Sequence, residues 1–173
     1  MQRHLVLGVD PGFSVTGFSL LKKEGASTTL LDCGYLKMSS TKSLSERVGI
    51  FFNTFEAKIL ASGVTGIALE TPFLGKNVQT FLKLGYLRGV LYLLADKHGL
   101  ALYEFSPREV KVAVTGFGGA PKEQVASMVL RFFPQIMRLQ KSSGVAQKLD
   151  VTDAVAVGLC GVWHTQQNAL LMR

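Results

Sequence analysis

The chain has 173 residues, 47% hydrophobic and 18% charged, with a net charge of +7 and a pI near 9.6. That length fits one domain, the apolar content supports a core and excludes global disorder, and the basic balance favours an acidic partner, nucleic acid ahead of a membrane surface. Two cysteines, Cys33 and Cys160, form neither a disulfide framework nor a zinc spacing. With no signal-peptide run and no apolar stretch near the ~20 residues of a membrane span, a cytoplasmic location is expected.

In chain order, residues 4–9 (HLVLGV) read as a short, fully buried strand. Asp10-Pro11-Gly12 is a turn by composition. Residues 14–22 and 29–36 read as two more strands about a turn at 22–27, giving an antiparallel meander. Apolar residues at helical spacing from Leu44 to Leu60 predict a helix with Ser43 as N-cap and Gly63 as stop. A strand over 65–70, a long helix from Asn77 to Lys97 ended by Gly99, and a fifth strand over 100–105 follow. Two helices, 107–114 and 121–133, flank the loop Gly116-Phe117-Gly118-Gly119. Residues 138–148 read as a mobile basic loop, Asp150 to Trp163 as a last helix, and 166–173 as a short tail after a single domain over 1–165. Three meandering strands followed by helix-alternating strands imply an α/β fold with a mixed sheet and helices on its faces.

The charge is concentrated. Residues 76–148 hold eleven Lys/Arg against four acids, so this stretch accounts for the net +7. Such a segment suits a nucleic-acid face, and Lys76, Lys83, Arg88, Lys141 and Lys148 are the expected backbone contacts. The helix 77–97 is apolar nearly all round, which predicts burial on two sides, one against the sheet and the other against a second copy, with Gly85 and Gly89 permitting close approach, or else a place as the central helix of a monomer.

Two apolar strands end on carboxylates, Asp10 and Glu70, where open α/β sheets form their ligand crevices. Asp150 and Asp153, three apart, share one face of the last helix. Taken singly, Asp10 fits a turn aspartate and Asp150 or Asp153 an acidic residue of a first helical turn. If that helix face meets the strand ends, four carboxylates converge, repel and call for a cation, and oxygen-only ligation suits Mg²⁺ or Mn²⁺. Two such ions would activate a water and stabilise a leaving oxygen in phosphodiester hydrolysis. His4, His98 and His164 are isolated, and no nucleophile elbow or Walker motif occurs. The glycine loop at 116–119, followed by Pro121 and Lys122, fits either an anion seat or an ordinary loop.

Five blocks, VDPGFSVTGFSLL (9–21), ALETPFLGKN (68–77), LKLGYLRGV (82–90), REVKVAVTGFGGAPKEQV (108–125) and DVTDAVAV (150–157), resemble in order and spacing the RuvC family of Holliday-junction resolvases. The resemblance implies a ribonuclease-H-like fold, a five-stranded mixed sheet flanked by helices on both faces, and a homodimer that nicks four-way DNA junctions in recombination and repair. It implies Mg²⁺ or Mn²⁺ held by Asp10, Glu70, Asp150 and Asp153, an aromatic at the junction centre in Phe73, functional lysines in Lys111 and Lys122, and a branch-migration helicase complex as partner. Phe13 and Ser14 depart from the small or basic residues common after D-P-G in that family. Three rivals share parts of this pattern. Actin-like ATPases need a second domain and phosphate loop, a related nuclease would take RNA, and a non-catalytic junction binder would have no need to keep all four carboxylates.

Overall fold

The computed structural model describes residues 4–72, 78–139 and 145–171, with the side chains of 138–148 and 166–173 outside that description. Strands β1 (His4–Asp10), β2 (Val15–Glu24) and β3 (Ser27–Lys37) form the antiparallel meander, longer than the sequence pattern indicates because the β2–β3 ladder runs on to Glu24–Ser27. Gly25, at φ 56°, makes the tight reversal between them.

Helix α1 (Leu44–Ser62) starts at Ser43, whose hydroxyl accepts from the Glu46 N–H while Glu46 bonds back to the Ser43 N–H, and it stops at Gly63 in the left-handed region. Strand β4 (Gly66–Glu70) pairs parallel with β1. Helix α2 (Val78–Lys97) leads to β5 (Ala101–Phe105), which pairs parallel with β4. Helices α3 (Pro107–Thr115) and α4 (Lys122–Phe132), a single turn α5 (Ile136–Leu139) and the long α6 (Val145–Leu171) complete the chain. The strand order is β3-β2-β1-β4-β5.

Strand alternation sorts the core into two layers. Leu7, Val9, Ile67 and Leu69 point to one face and pack with Phe51, Phe55 and Ile59 of α1 and Leu87, Leu91 and Leu94 of α2. Val6, Leu21 and Ala68 point to the other and pack with α3, α4 and α6. Helix α6 lies very close to the sheet because glycine faces it. A Cβ on Gly17 would sit 2.0 Å from the Asp150 carbonyl oxygen, and one on Gly8 would sit 2.4 Å from that of Ala154.

The last helix departs from the expected span 150–163 at both ends. It begins at Val145 and continues to Leu171, so the expected boundary between domain and tail at 165 falls inside a helix. The sequence between Trp163 and Leu171 holds no glycine or proline to stop it. The basic stretch 138–148 is accordingly helical at both ends, through Leu139 and from Val145. Among the described residues no helix is long and apolar enough to cross a membrane.

Candidate active site

Asp10 and Glu70 end neighbouring parallel strands. Val9 pairs with Leu69, so the two carboxylate residues follow side by side. Both fall on the parity of Gly8 and Ala68 and therefore face α6 rather than α2. The first described stretch of α6 carries Asp150 and Asp153 over the same strand ends, anchored where the Ser19 hydroxyl donates to the Ala154 carbonyl at 2.8 Å.

A pocket of about 260 Å³ opens between these elements and α3–α4. Asp10, Glu70 and Asp153 line it on one side and Lys111 and Lys122 on the other. Lys122, at the start of α4, places its Nζ 2.6 Å from Asp153 Oδ2. Asp150 stands outside that lining, but its charge reaches Asp10.

The site disfavours its own negative charge. Burial, then Asp153, Glu70 and Asp150, push the Asp10 carboxyl from 3.8 up to about 7, against the pull of Lys122. Burial and Asp153 raise Glu70, with Lys122 and Lys111 opposing. Burial also raises Asp153 and Asp150, and Lys122 opposes it in both. Burial alone would lower the Lys122 ammonium, but its hydrogen bond to Asp153 and the surrounding acids raise it overall.

The donor set is all carboxylate oxygen and carries more negative charge than the neighbouring lysines offset, which fits a hard divalent cation. The cage is not ready-made: among the described residues, no group of three or more His, Cys, Asp or Glu is placed to hold a metal ion. Asp153 is turned to Lys122 instead.

The remaining expected residues divide. Phe73, Lys76 and Lys141 lie outside the described residues, and the side chain of Lys148 does too. Lys83 is exposed on α2, its Nζ 5.9 Å from the Phe13 ring. Arg88, expected as a backbone contact, is buried in the fold. It is only 7% exposed, and its guanidinium is turned inward onto the Glu70 carbonyl, Tyr92 and Glu104. An apolar helix face told nothing of this, because Glu104 lies on a different element and joins Arg88 only in the folded sheet. Arg47 lies against Phe13, its guanidinium 5.0 Å from that ring and its Nη1 donating to the Phe13 carbonyl at 3.4 Å.

The family model described as Crossover junction endodeoxyribonuclease RuvC matches residues 6–161. A protein of that name from Pelodictyon phaeoclathratiforme is 44% identical over 156 residues, 90% of this chain and 78% of its own. Another, from Ruminiclostridium cellulolyticum, is 34% identical over 167 residues, 96% of each chain. Among solved structures, a T. thermophilus RuvC in complex with a Holliday junction substrate matches with a TM-score of 0.81 at 26% identity, over 95% of this chain and 96% of that one.

Proposed function

This chain belongs to the RuvC family of crossover junction endodeoxyribonucleases, and we propose that it resolves four-way Holliday junctions by paired hydrolytic nicks directed by Asp10, Glu70, Asp150 and Asp153. The observation that carries the assignment of residues is the meeting of two strand-end carboxylates with Asp153 of α6 at one pocket walled by Lys111 and Lys122, with the charge of Asp150 reaching Asp10 from beside it. Such a nuclease serves DNA recombination and repair, and we place it in the cytoplasm.

Asp10, Glu70, Asp150 and Asp153 would hold Mg²⁺ or Mn²⁺, two ions per site, supplying an activated water and charge stabilisation at the leaving oxygen. The chain's own groups orient the phosphodiester. Lys122, more than half exposed at its side chain, is free to turn from Asp153 towards a phosphate oxygen. Lys111 faces the same pocket, and both lysines offset charge that builds on the phosphate in the transition state. The basic residues of 76–148, Lys83 among them, hold backbones without reading sequence. Phe73 serves as an aromatic wedge at the junction centre, stacking on unpaired bases at about 1–3 kcal/mol per base.

A second copy completes the enzyme. Val78, Leu82, Tyr86 and Leu93 on α2 are 58, 49, 50 and 55% exposed, an apolar face that a two-fold partner would cover. Two sites related in this way match a junction that is itself roughly two-fold, and a branch-migration helicase complex would be the further partner.

The test is a synthetic mobile four-way junction, incubated with and without Mg²⁺ beside the Asp10→Asn variant. Paired nicks that need metal and vanish in the variant are expected. Tight binding without cutting in either Mg²⁺ or Mn²⁺ would leave a binding module and refute the carboxylate assignment.

A further inference from the structure

Arg88 is buried, and buried cations persist when paired and fully hydrogen-bonded. Its guanidinium donates to the Glu104 carboxylate, to the Tyr92 hydroxyl at 2.8 Å and to the backbone carbonyl of Glu70. Tyr92 in turn donates to the same Glu104 oxygen at 2.7 Å, which fixes the plane of the fork. The pairing with Glu104 alone would satisfy the charge. The bond to the Glu70 carbonyl needs a separate reason.

Sheet geometry supplies it. The Thr71 N–H donates to the Phe105 carbonyl at 2.8 Å, so the peptide groups of Leu69 and Thr71 face β5. Those of Glu70, one residue out of phase, face β1. The parallel ladder pairs Val9 with Leu69. One step further, the Glu70 carbonyl requires an N–H from residue 11, and Pro11 has none. The Arg88 guanidinium stands in that place. It closes the small pocket of about 140 Å³ that Asp10, Pro11 and Glu70 share with α2.

We infer that Arg88 is a positioning residue for the nuclease reaction: it replaces the ladder hydrogen bond that Pro11 cannot make and so holds the end of β4, with the Glu70 side chain, in register with Asp10. The inference rests on the reading of Glu70 as a catalytic carboxylate. Pro11 is then tolerated at the end of a central strand because a side chain from the neighbouring helix does the work of the absent N–H. Tyr92 and Glu104 act one step further out, by fixing the guanidinium.

The experiment compares single-turnover junction cleavage with junction affinity measured without divalent metal, for the full chain and for Arg88→Met, Arg88→Lys and Asp10→Asn. A folded Arg88→Met is expected to cut about 10- to 100-fold more slowly while its Kd stays within about twofold of the parent's. Its half-saturating Mg²⁺ concentration rises, and Arg88→Lys, which keeps a donor within reach of the Glu70 carbonyl, recovers part of the rate. Cleavage by Arg88→Met within about twofold of the parent, or a fall in rate matched by an equal fall in affinity, overturns the positioning role. Should Arg88→Met not fold, the pair Tyr92→Phe/Glu104→Gln, which frees the guanidinium from its side-chain partners, is judged by the same two outcomes. Asp10→Asn separates the two readings. If it cuts like the parent, the carboxylate site itself has failed; if it is inert while Arg88→Met cuts normally, only the role of Arg88 falls.

Discussion

Asp10 folds against its own charge. Its folded pKa of about 7 lies above the ordinary 3.8, so between those values the folded state binds more protons than the unfolded one. The resulting penalty is absent below the lower value, grows as pH rises and is complete above the upper one. Asp10→Asn removes it. In EDTA the variant is expected to melt several degrees above the parent near pH 8, with the gap closing towards pH 4. Equal melting temperatures at the higher pH would show that the carboxylates do not repel as placed. Lys122 answers a different question at the same scale. Lys122→Met strips Asp153 of its partner and the pocket of a cation, and a drop of about 10²-fold in cleavage is expected, comparable to losing one transition-state charge contact.

Elements carry these residues to their places by means that differ in reach. The ends of α1 are local chemistry: Ser43 and Glu46 close a capping box and Gly63 takes a left-handed conformation, and both ends could be read from neighbouring letters. The seat of α6 is not local. It depends on Gly17 of β2 having no side chain beneath the Asp150 carbonyl, a contact between residues far apart in the chain. Gly17→Ala is therefore a sharp test. Its Cβ meets helix backbone, which cannot rotate aside, so α6 must lift with Asp150 and Asp153. A stability loss of about 1–3 kcal/mol by chemical denaturation, together with slowed cleavage, is expected. A fully stable and active Gly17→Ala would mean that α6 does not set the carboxylates as described.

At the scale of the molecule, the two faces of α2 do different work. Leu87, Leu91 and Leu94 are buried against the sheet, while Leu82, Tyr86 and Leu93 remain at the surface, Tyr86 and Leu93 lining a groove of about 690 Å³ with Leu44 and Val48 of α1. Leu82→Glu/Tyr86→Glu is expected to turn a sedimenting dimer into a monomer and to uncouple the paired nicks. Unchanged sedimentation would remove this face as the dimer contact. The contacts proposed for the basic stretch belong to the same scale. Because phosphate contacts release counterions, junction affinity should fall roughly 10³- to 10⁵-fold between about 50 and 200 mM salt if six to ten contacts form. An affinity indifferent to salt would exclude the basic stretch as the DNA face.

The sequence by itself determined the order of elements, the strand-end positions of Asp10 and Glu70, the shared helix face of Asp150 and Asp153, and the family blocks around them. All of these are local: periodicity, caps, glycine stops and short spacings survive in one dimension. It also showed that α2 is apolar nearly all round, yet not which of its polar members turns inward. Arg88 was legible as a cation and nothing more, since its partners on β4 and β5 arrive only when the sheet forms. The pairing of Lys122 with Asp153, the closeness of α6 to Gly17, and the carboxylates' mutual repulsion were decided in the same way. Hydrogen bonds, ion pairs and contact distances are properties of neighbours in space, and only the tertiary structure chooses those neighbours.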